Sequence, residues 1–439
     1  MTIFLILSIS IFHYSLNENI TIFVFEHTRH GARGPSEDKI LNQSWIGSSE
    51  LTKVGERMHY LLGYSNKKKY EKYYSKTFNP NEFLIYSTNL NRTIMSVNSQ
   101  LNGWFPYEYS EKIKDKQIKK SIPKYLESNI KIKEIINKLN NDTILTKAQI
   151  FPIHTLNDKD DKYKSNINCI NINILRKENH KRLKNDIEKF NKNFMDNFGK
   201  NLSNIFKPKE KDYYDIFMEI NQFCDRFRTA YFDGRNLNLP NINLTKLNNE
   251  CDINHEMRFL KLNNHDKESK IGIFKSGNLM KTILYYMEKR VKLKNNIIKN
   301  GSPKFLIFSG HDNTLAEMQD FLNAALGNFN YTSPTFASNL FFEVVNVNNS
   351  KFIVNIIFND KLIMNVDYYL FKEKVEKLIM SEDEIIKFCY GIIYYSKYYF
   401  VFIFLDLVIF VLILFCFWKK ERKTKSLSEM AIIVSGDLE

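Results

Sequence analysis

The sequence predicts an α/β sandwich interrupted by a mostly helical insertion and followed by one membrane-spanning helix. Three observations predict it. Short β-branched and aromatic runs, each leading through a polar turn into a helical pattern, recur near both ends of the chain. The stretch between them is rich in Lys and Asn, with short helical patterns and no convincing strand. Near the C-terminus, residues 398–418 form an apolar run of about the 20 residues that a membrane helix needs.

The first apolar run, residues 1–12, has the length of a signal-peptide core and is short for a bilayer, so residues 1–16 are expected to be a signal peptide. A buried N-terminal strand is the alternative. Residues 21–28 (TIFVFEHT) read as a buried strand, and a loop containing Gly31 and Pro35 follows. Residues 51–64 have helical spacing with Thr52 as N-cap. Residues 83–88 read as a second strand, and 91–103 as a helix closing on Gly103 as a C-cap. The insertion is expected over 109–262. A helix is predicted over 278–294, a third strand over 305–309, and a helix over 313–326 closed by Gly327. Residues 339–345 and 351–358 then read as a hairpin. The core is therefore expected to comprise 17–108 and 263–397.

Net charge is +14 over 439 residues. The lysines are scattered among Asn, Ile and Tyr, and no nucleic-acid-binding motif accompanies them, so nucleic acid is not expected as a partner. Lys419, Lys420, Arg422, Lys423 and Lys425 follow the apolar run at once. That basic flank places residues 419–439 in the cytosol and the body in the lumen or outside the cell. Asp406 breaks the run in its first half, where tilt or a partner helix can accommodate it. Cys169, Cys224, Cys251 and Cys389 would then lie in an oxidising compartment and could form two disulfides in three connectivities. Cys416 falls inside the span. Asn19, Asn42, Asn141, Asn201, Asn243, Asn330 and Asn348 fit the glycosylation pattern, and Asn91 is expected to stay bare beside Arg92.

In open α/β sheets a ligand sits beyond the carboxyl ends of the strands. Three strands here end at Arg29-His30-Gly31, at the turn before Arg92, and at Gly310-His311-Asp312. Together with Arg33, these ends would gather three arginines, two histidines and an aspartate. Guanidinium forks match phosphate oxygens and stay charged. A histidine among arginines is kept neutral, which leaves a ring nitrogen free to attack. Asp312 could give a proton to a departing oxygen. Helix starts at Arg92 and after Asp312 would turn positive dipole ends toward the anion. No metal or cofactor is called for. A single Asp before a helix is ordinarily an N-cap and a single Arg a surface ion-pair partner, so the joint occurrence carries the reading. His27, His59, His154, His180, His255 and His265 are assigned no role, and the acidic stretch 158–161 reads as a solvated loop.

These residues also carry a family resemblance. Arg29-His30-Gly31-Ala32-Arg33-Gly34-Pro35 resembles the R-H-G-x-R-x-P motif of histidine acid phosphatases, and Gly310-His311-Asp312 their H-D element. Tyr86-Ser87-Thr88 with Asn91-Arg92-Thr93 is similar to the block that supplies the third arginine. The resemblance spans residues 22–345. It implies a three-layer α/β/α sandwich of the phosphoglycerate-mutase type with a helical cap. It also implies a phosphohistidine on His30, phosphoryl oxygens held by Arg29, Arg33, Arg92 and His311, and Asp312 as proton donor. The closely spaced cysteine pair of animal members is missing from 363–380, and a further family cysteine is replaced within Phe336-Ala337-Ser338-Asn339. The resemblance then suggests the pairs Cys169–Cys389 and Cys224–Cys251.

The expected protein is a single-pass type I membrane acid phosphatase of a lysosomal, vacuolar or plasma membrane. Its partners would be small phosphate monoesters and the bilayer, with a homodimer as a further candidate. A phytase-like inositol-polyphosphate or lipid-phosphate phosphatase is the alternative on the same fold. An idle receptor or adhesion ectodomain is the alternative of another class.

Overall fold

A computed structural model of the chain describes residues 19–35, 48–109, 112–126, 130–144, 148–155, 169–204, 206, 212–237, 239–262, 268–295, 301–348 and 351–436. The expected signal peptide, Asn42, His265 and the acidic stretch 158–161 lie outside the described residues. The chain divides into two compact units, Met1–Ile167 with Leu175–Ile379, and Asn168–Ile174 with Met380–Glu439.

In the first unit the described strands are β1 (Ile20–Arg29), β2 (Phe83–Ser87), β3 (His154–Thr155), β4 (Phe305–Gly310), β5 (Asn339–Val347), β6 (Lys351–Phe358) and β7 (Lys361–Asp367). They form one sheet in the order β3-β2-β4-β1-β5-β6-β7. β1, β2, β3 and β4 run parallel, and β5, β6 and β7 continue antiparallel from β1. β1 is buried along nearly its whole length. That burial explains its apolar run over residues 22–25, since a central strand is covered on both faces, while the buried Glu26 is met by Asn66, Gln100 and Asn339.

Helices cover the two faces. On one lie α1 (Lys53–Tyr70) and α2 (Asn91–Trp104), whose Tyr70, Val97, Leu101 and Trp104 pack with Val24, Ile85, Phe305 and Ile307. On the other, α10 (Lys270–Lys294), α11 (Asp312–Leu326) and α12 (Tyr368–Glu376) pack Met280, Ile283, Phe321 and Phe371 with Phe25, Phe308 and Phe342. The architecture is the expected α/β/α sandwich.

Several expectations need adjusting. Thr52 does cap α1, accepting from the Gly55 amide, but the helix runs on to Tyr70 because Asn66 and Lys69 find buried partners in Glu26 and Glu343. Gly103 is not a C-cap: α2 passes through it, and a side chain there would collide with the Tyr60 carbonyl of α1. α10 begins at Lys270 rather than near 278, and α11 at Asp312 itself. β7 and α12 escaped the sequence reading. β7 is an outer strand with no fully buried residue and no alternation, joined to β6 through Asn359 and Asp360, both at positive φ as a two-residue hairpin turn requires.

Between β2 and β4 the chain is mostly helical: α3 (Asp115–Ile118), α4 (Ile130–Leu139), α5 (Ile170–Arg182), α6 (Lys184–Phe194), α7 (Lys200–Leu202), α8 (Tyr213–Phe232) and α9 (Leu244–Glu256). The two-residue β3 is its one strand among the described residues. Phe190, Phe194, Phe217, Phe223 and Phe227 build a core of their own with Ile187 and Leu247. A Cys224–Cys251 disulfide ties α8 to α9.

In the second unit, Cys169 is joined to Cys389 on α13 (Glu382–Gly436). Residues Val401–Lys420 of α13 are long and apolar enough to cross a membrane, with mean hydropathy 3.0, and are unburied, Cys416 included. The helix continues beyond the basic cluster to Gly436. Arg422 lies over the Trp418 ring, 4.1 Å from its centroid.

Candidate active site

Register brings the three strand ends together. β4 lies between β1 and β2, with Arg29 opposite Gly310 and Ser87 opposite Ser309. The loops that follow therefore leave one edge of the sheet side by side. They open into a cavity of about 530 Å³ lined by Arg29, His30, Arg33, Arg92, His311 and Asp312, all six residues singled out from the sequence.

His30 is buried at the floor of the cavity. Its backbone N–H donates to the Gly310 carbonyl, and its Nδ1 lies 2.9 Å from the Gly31 carbonyl. A carbonyl only accepts, so Nδ1 carries the proton and the Nε2 lone pair is left free. Gly31 is required beside it: any side chain there would strike the Gly55 backbone, while its N–H donates to Ser96 Oγ. Burial, followed by the charges of Arg29, His311, Arg33 and Arg92, holds His30 well below the usual histidine range. The ring therefore stays neutral in acid.

The arginines are held in different ways. Arg29, almost fully buried, donates through Nη1 to the Pro334 carbonyl at 2.6 Å and pairs through Nη2 with Asp312 Oδ2 at 2.7 Å. Its guanidinium lies over Phe336, 4.6 Å from the ring centroid. Burial lowers it to about 10, so it remains charged. Arg33 forms a fork onto Asp225, at 2.8 and 3.4 Å. Arg92 stands in the first turn of α2, and its buried Nε has no partner among the described residues.

His311 lies within 3.1 Å of Thr88 Oγ1, with its ring centroid 5.6 Å from that of His30. Burial and then Arg92 push it down to about 3. Asp312 opens α11, and its Oδ1 accepts from the Asn313 amide at 2.9 Å. Burial works to raise this carboxyl, but Arg29 and then His255 outweigh it and hold it well below the ordinary carboxylate range. The arrangement is suited to taking a dianion between guanidinium groups with a neutral imidazole beneath it.

Five charged or histidine residues of the cavity were not anticipated. Asp225, Arg226 and Arg228 come from α8, His255 from α9, and Arg258 from the π-helical stretch Met257–Leu262 that continues it. Arg228 pairs with Asp252 at 2.8 Å, and Arg258 donates to Asn221. One signal was readable: Asp225, Arg226 and Arg228 crowd into a helical stretch with Phe223, Phe227 and Ala230, where burying charge is costly unless it is paired. His59, also assigned no role, lies 3.1 Å from the Arg29 carbonyl and braces the strand end.

The family model described as histidine phosphatase superfamily (branch 2) matches residues 22–359. The chain belongs to that superfamily. Among curated relatives, mouse prostatic acid phosphatase is 39% identical over 85 residues, covering 18% of this chain and 22% of the relative. Human lysosomal acid phosphatase is 32% identical over 83 residues, covering 18% and 20%. The aligned part thus spans about a fifth of the length of these relatives. Among solved structures, a phytase from Klebsiella sp. ASR1 has a TM-score of 0.56 at 11% identity, covering 83% of this chain and 97% of that one. A Hafnia alvei phytase in complex with myo-inositol hexakis sulphate has 0.55 at 14%, covering 82% and 98%. At such identities the phytases attest a shared fold and nothing narrower.

Proposed function

We propose that this chain is a membrane-anchored phosphomonoesterase that works through a phosphohistidine on His30. The observation that carries the reading is the tautomer of His30. Its Nδ1 proton is committed to the Gly31 carbonyl, so Nε2 is free in a cavity that Arg29, Arg33 and Arg92 make attractive to a phosphoryl group. Family membership and the acid phosphatase relatives support it.

In the first step His30 Nε2 bonds to phosphorus as the ester P–O bond breaks. Arg29, Arg33, Arg92 and His311 hold the equatorial oxygens, and Asp312 protonates the departing oxygen to give the alcohol. Water then attacks phosphorus, Asp312 takes its proton, the P–N bond breaks and phosphate leaves. Asp312 is ionised in the free protein, so it must gain a proton before the first step. A dianion that draws Arg29 toward itself removes the main influence keeping Asp312 acidic. The need for that proton favours acid pH.

We place residues 17–397 in the lumen or outside the cell, with 109–262 as a cap on the α/β core, 398–418 in the bilayer and 419–439 in the cytosol. The two disulfides and the basic flank of α13 support this. Protease added to sealed vesicles with their cytosolic face outward should remove a C-terminal tag and spare the body. Loss of the body instead would reverse the orientation.

His30→Ala should abolish turnover, and after alkaline quenching it should carry no phosphoryl label where the parent does. A variant with near-normal rate would rule out the nucleophile. A second reading has an observation of its own: Arg228 and Arg258 add positive charge to the cavity beyond the phosphoryl-holding set. It favours substrates carrying more than one phosphate, and comparing kcat/KM for phytate with that for simple monoesters tests it.

A further inference from the structure

His255 is, among the described residues, the one histidine that the helical insertion sends into the cavity, and nothing in the proposed chemistry yet uses it. It lies in the last turn of α9, buried, with its ring against Phe259 at a centroid distance of 4.3 Å. Its Nε2 is 3.3 Å from Asp312 Oδ2 and its Nδ1 is 3.3 Å from Ser333 Oγ. An ionised carboxylate only accepts, so Nε2–H donates to Asp312 and Nδ1 accepts the Ser333 hydroxyl proton. The ring is thereby fixed in one tautomer and one orientation. α9 is itself braced: Cys251, one turn before His255, is bonded to Cys224, and Asp252 pairs with Arg228 at 2.8 Å.

Asp312 Oδ2 is shared by two donors, Arg29 Nη2 at 2.7 Å and His255 Nε2 at 3.3 Å. The two differ in what else they must do. Arg29 borders the phosphoryl site, and an incoming dianion competes for it. His255 has its second nitrogen on Ser333 and its ring on Phe259, so it has no such alternative. We propose that His255 is a positioning residue for Asp312, holding the carboxyl group on the leaving-group side while Arg29 is drawn onto the phosphoryl oxygens. The proposal rests on the reading of Asp312 as proton donor, and it makes the helical insertion part of the proton-transfer apparatus.

Proton donation matters for a poor leaving group and hardly at all for a good one. The test compares glycerol 2-phosphate with p-nitrophenyl phosphate for the full-length chain and for His255→Leu, His255→Asn, His255→Gln and Asp312→Asn. His255→Leu should lower kcat/KM, which reports the steps up to departure of the alcohol, by about 10- to 100-fold on glycerol 2-phosphate, with a change of less than about 3-fold on p-nitrophenyl phosphate. The inhibition constant of inorganic phosphate should stay within about 3-fold, because ground-state binding is untouched. His255→Gln, whose longer amide reaches the Nε2 position, should recover most of the rate. His255→Asn, whose amide stops near Nδ1, should behave like the Leu variant and stands in for it if that chain does not fold. Equal losses of kcat/KM on both esters, or an undiminished kcat/KM on glycerol 2-phosphate, overturns the role of His255. If Asp312→Asn shows the contrast between esters and the His255 variants do not, the positioning role alone falls. If Asp312→Asn shows no contrast, the proton-donor reading falls and the proposal with it.

Discussion

Replacing Arg29 by Met tests the electrostatics of the site at its most buried pair. Arg29 and Asp312 side chains are 4% and 14% exposed and 2.7 Å apart. Two unit charges about 4 Å apart at an effective dielectric near 20 attract by about 4 kcal/mol. Removing one member of a buried pair typically costs about 3–5 kcal/mol, because the other charge is left without compensation. Arg228 and Arg33 repel Arg29, which offsets part of that, so a loss of about 3 kcal/mol is expected at pH 7. In the parent, Asp312 titrates below its unfolded value; its contribution is present above the unfolded pKa of about 3.9 and is lost as pH falls through the lower folded value. In Arg29→Met the chief lowering influence is gone and burial pushes Asp312 upward. Its ionised form then costs stability above about pH 4, and that cost is relieved as pH falls. The difference between parent and variant should therefore shrink to about 1 kcal/mol at pH 4, since a tenfold change in proton affinity between the folded and unfolded chain is worth about 1.4 kcal/mol. Urea unfolding of the detergent-solubilised chain, followed through buried Trp104, measures this at both pH values. Arg29→Met/Asp312→Asn should recover about 2 kcal/mol at pH 7 through the coupling of the two sites. Equal losses at pH 7 and pH 4, or strict additivity in the double variant, would mean that Arg29 stabilises through Phe336 and the Pro334 carbonyl alone.

Other outcomes follow from the same geometry. Cys224→Ser/Cys251→Ser opens a loop of 27 residues and should cost about 3.5 kcal/mol in urea unfolding, from the chain entropy that the unfolded state regains. Inorganic phosphate at 100 times its Kd should stabilise the parent by about 2.7 kcal/mol. Arg92→Ala should weaken phosphate binding by about 2–5 kcal/mol, read by calorimetry, because a desolvated charged contact is lost. Burial lowers His27 to about 3, so it stays neutral when folded and takes up a proton on unfolding below about pH 6.5. Its contribution is therefore intact above that pH and is lost as pH falls toward 3; His27→Gln should flatten the acid side of the stability curve by about 1.4 kcal/mol per pH unit.

The parts of this protein legible from its residues are those with local causes. A run such as residues 21–28 reads as a buried strand because its β-branched and aromatic side chains suit a covered sheet. Thr52 marks a helix start because its hydroxyl takes an orphan amide. The apolar stretch closed by five basic residues is long and apolar enough to cross a membrane, a property of length and composition alone. The motifs at the ends of β1 and β4 were readable for a related reason: a strand end next to a helix start puts short-range sequence and site geometry in the same few residues.

What the sequence could not supply depends on which surfaces meet. Residues 109–262 read as undistinguished Lys- and Asn-rich helix, and a histidine in such a helix is more often a satisfied core residue than part of a site. Only the packing of α8 and α9, cross-linked by Cys224–Cys251, carries His255 to Asp312 and Asp225 to Arg33. Gly103 was misjudged for the same reason, since its role depends on how closely α1 and α2 approach. Local propensity and periodicity are properties of neighbours in the chain. The approach of His255 to Asp312, 57 residues apart, is a property of the folded surfaces, and the tertiary structure alone decides it.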